Sequence, residues 1–106
     1  MKRRVWLVSS LLFTAAAASA AQPSIARQAE LLNMLKHDCG SCHGMRLEGG
    51  LGPALVASRF AEWDTDLLAL TILYGRPGTP MPPWRPFLTD IEARWLAARL
   101  KEGIRP

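Results

Sequence analysis

Cys39-Gly40-Ser41-Cys42-His43 puts two thiols and an imidazole within one pentapeptide, and few folds can use such a group. C-x-x-C-H is the attachment sequence for c-type haem. Each thiol can form a thioether with one of the two haem vinyl groups. The histidine that follows is then held beneath the iron, where a ring nitrogen can coordinate it. Small Gly40 and Ser41 are expected to let the backbone turn tightly against the porphyrin edge. A pentapeptide also arises by chance, so the rest of the chain has to support it.

The first segment supplies that support, because it reads as an export signal. Lys2, Arg3 and Arg4 form a basic start, and Val5 to Ala18 give an apolar run too short to cross a bilayer comfortably. Ala18-Ser19-Ala20 has the A-x-A form of a signal-peptidase site, so residues 1–20 are expected to be a cleaved signal peptide and residues 21–106 one mature domain. The alternative is an uncleaved N-terminal membrane anchor, which the small-residue boundary disfavours. The expected location is the periplasm.

Cleavage changes the meaning of the charge. Removing Lys2, Arg3 and Arg4 from the thirteen Lys and Arg leaves ten against nine acids. The mature chain is therefore close to neutral, and two haem propionates bring it slightly negative. The high sequence pI of about 9.7 belongs to the leader and gives nucleic-acid binding no support. A domain this small is marginal unless stapled or filled. A Cys39–Cys42 bridge would close a tiny loop and constrain little, whereas a buried, covalently fixed haem supplies the missing core.

The mature chain reads as helical. Ser24 is suited to cap a helix from about Ile25 to Asp38, with Ile25, Leu31, Leu32 and Leu35 on one side. Gly44 to Pro53 is glycine-rich and reads as a loop. Ala54 to Phe60 allows a short turn or helical piece. Asp64 caps a helix over Thr65 to Tyr74 with Gly75 as its stop, and a buried strand competes because Leu67 to Leu73 is apolar almost all round. Gly75 to Pro86 carries five prolines, which makes a stiff, irregular loop. Thr89-Asp90-Ile91-Glu92 is a capping box opening a last helix to about Lys101, with stripes Ile91/Trp95/Ala98 and Ala93/Leu96/Leu100.

With His43 as one axial ligand, the mature chain offers three methionines for the other: Met34, Met45 and Met81. Met45 is two residues from His43, on the wrong side of the ring. Met34 falls on the first helix, where methionine usually packs a core. Met81 sits in the proline-braced run Gly78-Thr79-Pro80-Met81-Pro82-Pro83-Trp84, far enough on for the chain to pass the haem edge and return on the opposite face. Thioether sulfur is a weak, soft ligand that raises the reduction potential, and flanking prolines lower the entropy of holding it. His37 is too near Cys39 to reach the far face. A carbonyl of the Gly52-Pro53 segment is suited to accept the His43 Nδ1–H and so set the tautomer. Trp84 and Trp95 are suited equally to the haem pocket and to plain core packing.

Cys39–His43, Gly52-Pro53, Met81 and a terminal helix bearing Trp95 together resemble the class I (His/Met) cytochromes c, over Cys39 to Leu100. The runs Gly49 to Leu55 and Tyr74 to Trp84 look more specifically like the small NirC-type cytochromes of denitrification gene clusters. The resemblance implies an all-α fold with crossing N- and C-terminal helices and loops wrapping one covalent haem c. It implies Cys39 and Cys42 as thioether residues and His43 and Met81 as axial iron ligands. It further implies an electron carrier, not an enzyme, since no iron position is open to substrate. The expected acceptor is a cytochrome cd-type nitrite reductase, with a quinol-linked or cytochrome donor upstream, and the carrier is expected to be a monomer. Participation in maturing that reductase's d-type haem, or delivery to another periplasmic oxidoreductase, are the alternatives.

Other chemistry is less well served. A thiol–disulfide oxidoreductase could use C-x-x-C, but no βαβ pattern surrounds it. A peroxidase needs Met81 to leave and a distal acid–base residue, and none is in view. A zinc module has Cys39, Cys42 and His43, but adjacent Cys and His chelate poorly and a fourth ligand is missing.

Overall fold

The computed structural model describes residues 21–106, and the expected leader, residues 1–20, lies outside them. Four α-helices follow in order: α1 (Ile25–Met34), α2 (Gly40–His43), α3 (Thr65–Tyr74) and α4 (Asp90–Glu102). A π turn, Leu35–Cys39, joins α1 to α2, and Ala57–Phe60 forms a 3-10 turn. No strand occurs among the described residues. The strand alternative for the apolar run Leu67 to Leu73 is therefore overturned.

The three longer helices each begin on a side-chain cap. Ser24 Oγ accepts from the Arg27 amide at 3.2 Å. Asp64 Oδ1 accepts from the Asp66 and Leu67 amides at 2.8 and 3.2 Å. At α4, Thr89 Oγ accepts from the Glu92 amide at 3.2 Å while the Glu92 carboxylate accepts from the Thr89 amide at 3.0 Å, a complete capping box. Such caps satisfy donors that the helix itself leaves orphaned, for about 1 kcal/mol each.

The first helix departs from the expected span of Ile25 to Asp38. Its α geometry stops at Met34, the π turn takes up five residues, and helical geometry resumes through His43. A π turn absorbs an extra residue, so it re-aims the attachment sequence relative to buried Leu31 and Leu35. The Ser41 hydroxyl donates to the Asp38 carbonyl at 2.7 Å beside this break. Gly40 does not make the expected tight turn. It is helical (φ −64°) and buried, and a Cβ there would stand 3.2 Å from Met45 Cα. Its smallness serves the close return of the following loop.

Ile25, expected on the buried side, is 80% exposed. It precedes the point where α1 meets α4. Arg27 makes that meeting: its guanidinium donates to the Glu92 carboxylate at 2.7 Å, to Glu30 at 2.7 Å and to the Phe87 carbonyl at 3.2 Å. Behind this contact, Leu31 and Leu35 join Leu68, Ala69 and Leu73 of α3 and Ala93, Leu96, Ala97 and Leu100 of α4 in one core. Fully burying each leucine contributes about 2 kcal/mol. Zero exposure at Ala93 and Ala97 shows why α4 uses small residues there, since close helix packing has no room for more.

Candidate cofactor site

His43 ends α2, and the glycine-rich loop folds back onto it. The Gly52 amide donates to the Cys42 carbonyl at 2.7 Å and the Gly49 amide to the His43 carbonyl at 2.8 Å, so the loop caps the helix end. Leu47 anchors the loop in the core at 1% exposure and adopts φ +60°, a left-handed conformation rare for leucine. His43 Nδ1 lies 2.7 Å from the Pro53 carbonyl oxygen. A carbonyl only accepts, so Nδ1 carries the proton and Nε2 keeps a free lone pair. That is the tautomer a metal-binding imidazole requires, and it is held in place by the residue pair expected from the sequence. Gly52 lies flat against the ring: a Cβ on it would stand 2.8 Å from Nδ1 and 2.9 Å from Cε1.

Cys39 closes the π turn and is half-buried, while Cys42 is exposed on the next turn, and both are free thiols. Burial, helped by the adjacent Asp38 charge, pushes the Cys39 thiol up to about 11. A thiol held protonated is a poor disulfide-exchange nucleophile. His37 is exposed two residues before Cys39, and among the described residues no three His, Cys, Asp or Glu side chains converge as a metal-binding group.

Met81 stands on a different loop, half-buried. That loop is tied to the end of α3 by backbone bonds: Trp84 N to Ile72 O at 3.2 Å, Arg85 N to Leu73 O at 3.0 Å, and Arg76 N to Met81 O at 3.2 Å. Thr79 Oγ accepts from the Met81 amide at 3.3 Å. No hydrogen bond joins the His43 loop to the Met81 loop among the described residues. Each is fastened to its own helix end. Met34 packs against the core, as its place on the first helix implied, and Met45 is exposed in the His43 loop.

A groove of about 380 Å³, lined by Trp63, Leu67, Thr71, Gly75, Arg76, Pro77 and Thr79, opens between α3 and the start of the Met81 loop; Cys39, Cys42, His43 and Met81 are not part of its lining. Leu67 is 53% exposed, Leu51 is 95% exposed, and Met45, Leu70 and Tyr74 are also open. Leu67, Leu70 and Tyr74, spaced three and four residues apart, give α3 an open apolar face. This also explains why α3 is apolar all round. Leu68, Ala69 and Leu73 fill the core, while Leu67, Leu70 and Tyr74 face outward. The donor set fits a haem: two free thiols a turn apart, an imidazole with a free Nε2, and a thioether on a separate braced loop.

Trp95 is a core residue at 8% exposure, with the Arg99 guanidinium 5.4 Å from its ring centroid. Trp84 is half-buried and stacks at a tilt on Phe87. Arg85 is engaged by Asp90 at 2.5 Å, and Arg76 lines the groove.

The model for the family described as "Cytochrome C oxidase, cbb3-type, subunit III" matches residues 24–98, which include both cysteines, His43 and Met81. The chain belongs to the c-type cytochromes. Such membership brings one covalently bound haem c at this domain size, and an electron-transfer role without a catalysed reaction. The cytochrome is 46% identical over 101 residues to cytochrome c55X of Pseudomonas aeruginosa, covering 93% of this chain and 85% of that protein. It is 49% identical over 87 residues to cytochrome c55X of Paracoccus denitrificans, covering 82% and 84%. Among solved structures it is similar to a c-type cytochrome NirC, with 52% identity and a TM-score of 0.77 over 79% of this chain and all of that one. The all-α fold implied by the resemblance to class I cytochromes c is the one observed.

The π turn, the left-handed Leu47 and the close approach of Gly75 to the Met81 loop escaped the sequence reading. Only the glycines around Leu47 hinted at unusual backbone.

Proposed function

We propose that Cys39 and Cys42 hold the haem as thioethers, that His43 Nε2 and the Met81 sulfur take its two axial positions, and that the cytochrome delivers electrons in the periplasm to a cytochrome cd-type nitrite reductase. The observation that carries the site assignment is the 2.7 Å contact of His43 Nδ1 with the Pro53 carbonyl, which leaves Nε2 free for a metal. Bound haem supplies one-electron chemistry at iron. This chain's residues do the remaining work. His43, with its proton committed to Pro53, is a stronger donor than a free imidazole and favours the oxidised state. Met81, a soft donor, favours the reduced state and sets the potential upward. Both loops are anchored by backbone bonds, so neither ligand has to move when the charge at iron changes.

The likeness to the c-type cytochrome NirC, together with the Gly49–Leu55 and Tyr74–Trp84 runs, supports a place in denitrification. The export-type leader supports the periplasm. Docking by a shuttle is brief and uses a small patch, since the carrier must leave after each transfer. The test is stopped-flow mixing of reduced cytochrome with oxidised cytochrome cd nitrite reductase of the same organism. Fast oxidation that slows with added salt supports an electrostatically guided donor. Absence of oxidation, with a deletion strain that accumulates reductase lacking its d-type haem, refutes delivery and assigns the cytochrome to maturation.

A further inference from the structure

We propose that Gly75 is a positioning residue for Met81: the bare Cα at the end of α3 is the seat against which the Met81 backbone rests, and it places the sulfur at iron. The inference rests on Met81 being the axial ligand and adds what holds it there.

Gly75 was expected only as the residue that stops α3. It is buried, with φ +66°, and the Met81–Pro83 backbone passes directly over it. A Cβ built on Gly75 would lie 2.6 Å from Met81 O, 2.7 Å from Pro82 C and 2.8 Å from Pro83 N. All three are backbone atoms, so no side-chain rotation relieves the overlap. The loop has few ways to yield. Pro80, Pro82 and Pro83 have no N–H to offer. The donors that remain are already spent: Trp84 and Arg85 donate to the last-turn carbonyls Ile72 O and Leu73 O, and Met81 donates to Thr79 Oγ. Arg76 N in turn donates to Met81 O at 3.2 Å, next to the Gly75 contact.

A methyl group at position 75 therefore has to push the Met81 peptide away by about 0.8 Å to reach ordinary contact. Ligand geometry tolerates roughly 0.5 Å before function suffers. A thioether is too weak a donor to pull the loop back. The seat, and not the ligand's own affinity, decides whether sulfur reaches iron.

Gly78 provides the internal control. It also has positive φ (+78°), but a Cβ there meets nothing within 4 Å. Gly78→Ala thus tests positive-φ strain in the same loop without the collision, while Gly75, at φ +66° and ψ −165°, carries heavier backbone strain of its own. The experiment compares holoproteins of wild type, Gly78→Ala and Gly75→Ala, each also in a Met81→Ala background. It reads the sulfur-to-iron charge-transfer band of the oxidised form and the affinity of added imidazole, which must displace the native ligand. Wild type and Gly78→Ala should keep the band. Gly75→Ala should lose it and bind imidazole roughly tenfold more tightly or better, because the position is already vacated. In the Met81→Ala background there is no sulfur left for imidazole to displace, so Gly75→Ala should change imidazole affinity by less than about twofold.

Gly75→Ala matching Gly78→Ala overturns the proposal. Failure of Gly75→Ala to accumulate as holoprotein overturns it if the Met81→Ala background fails equally, since Gly75 would then serve the fold alone. Accumulation restored by Met81→Ala supports it. A band missing from wild type, or retained in Met81→Ala, refutes the ligand assignment itself and is distinguishable from both.

Discussion

Gly52→Ala should raise the reduction potential by disturbing a single hydrogen bond. Gly52 holds a backbone conformation open to any residue, so alanine adds a methyl group without backbone strain. That methyl would start 2.8 Å from His43 Nδ1 and 2.9 Å from Cε1. Ordinary contact requires about 3.4 Å or more, so the imidazole has to retreat by about 0.6 Å. Retreat of the ring stretches the 2.7 Å bond to the Pro53 carbonyl by at most the same amount, towards about 3.3 Å, the weak end of the hydrogen-bond range. A neutral hydrogen bond contributes about 1 kcal/mol net. With His43 as the proposed iron ligand, oxidised iron would draw more on its donor strength than reduced iron, so most of that loss should fall on the oxidised state. One kcal/mol between redox states is about 40 mV for one electron. Spectroelectrochemical titration of the holoprotein measures this directly. Pro53→Ala is the companion, because it keeps the carbonyl and should shift the potential far less. A Gly52→Ala potential equal to wild type, or a Pro53→Ala shift as large, refutes the reasoning.

Glu92→Gln can keep the capping box, since the glutamine oxygen also accepts from the Thr89 amide, but it turns an NH2 towards Arg27 and so removes both the charge and the oxygen that accepts from Arg27 Nε; chemical denaturation near neutral pH should show a loss of about 1 kcal/mol. The Arg27 guanidinium holds the Glu92 carboxyl below its usual range, so this contribution is complete above the unfolded carboxylate pKa of about 4.3 and is lost as pH falls through the lower folded value, where wild type and variant should converge. Replacing Cys39 and Cys42 together by alanine should abolish haem staining on denaturing gels, and persistence of the stained band would refute covalent attachment through them. Leu31→Ala empties a fully buried position and should cost about 2–5 kcal/mol in denaturant titrations of the holoprotein, with the visible spectrum unchanged below the unfolding transition.

What the sequence made legible was local chemistry. Ser24, Asp64 and Thr89 cap because their side chains reach amides two or three residues ahead, and no tertiary partner is needed. The His43–Pro53 bond could be anticipated because the Gly52-Pro53 pair follows the attachment sequence at a loop's length. The π turn at Leu35–Cys39 could not, because nothing in Leu-Lys-His-Asp-Cys opposes α geometry. The break belongs to the packing: Leu31 and Leu35 are buried in the core while the attachment sequence meets the returning loop at Gly40. Leu47 escaped for a related reason. Its 1% exposure is a reason to hold it at φ +60° despite the strain, and burial in a loop has no periodicity to announce it. Ile25 was misread because a helical stripe says which side faces inward but not where the neighbouring helix begins to cover it.

The two proposed ligand loops are held by the same device. At α2 the carbonyls of Cys42 and His43 accept from Gly52 and Gly49, and at α3 the carbonyls of Ile72 and Leu73 accept from Trp84 and Arg85. In both places carbonyls that a helix leaves unpaired at its C-terminal end are satisfied by the loop that carries or steadies a ligand. Ligand position is therefore inherited from helix position, and helix position from the core shared by Leu31, Leu35, Leu73 and Leu96. The two sides still differ in kind. His43 lies in the attachment sequence itself, directly after Cys42, and needs only its ring oriented, which a single carbonyl accomplishes. Met81 is remote in sequence from both cysteines, and its loop is held by prolines, the end of α3, the Gly75 contact and the bonds of its own backbone to Arg76 and Thr79. Perturbations of the core that tilt α3 against α4 should accordingly weaken methionine ligation before they disturb histidine ligation or covalent attachment.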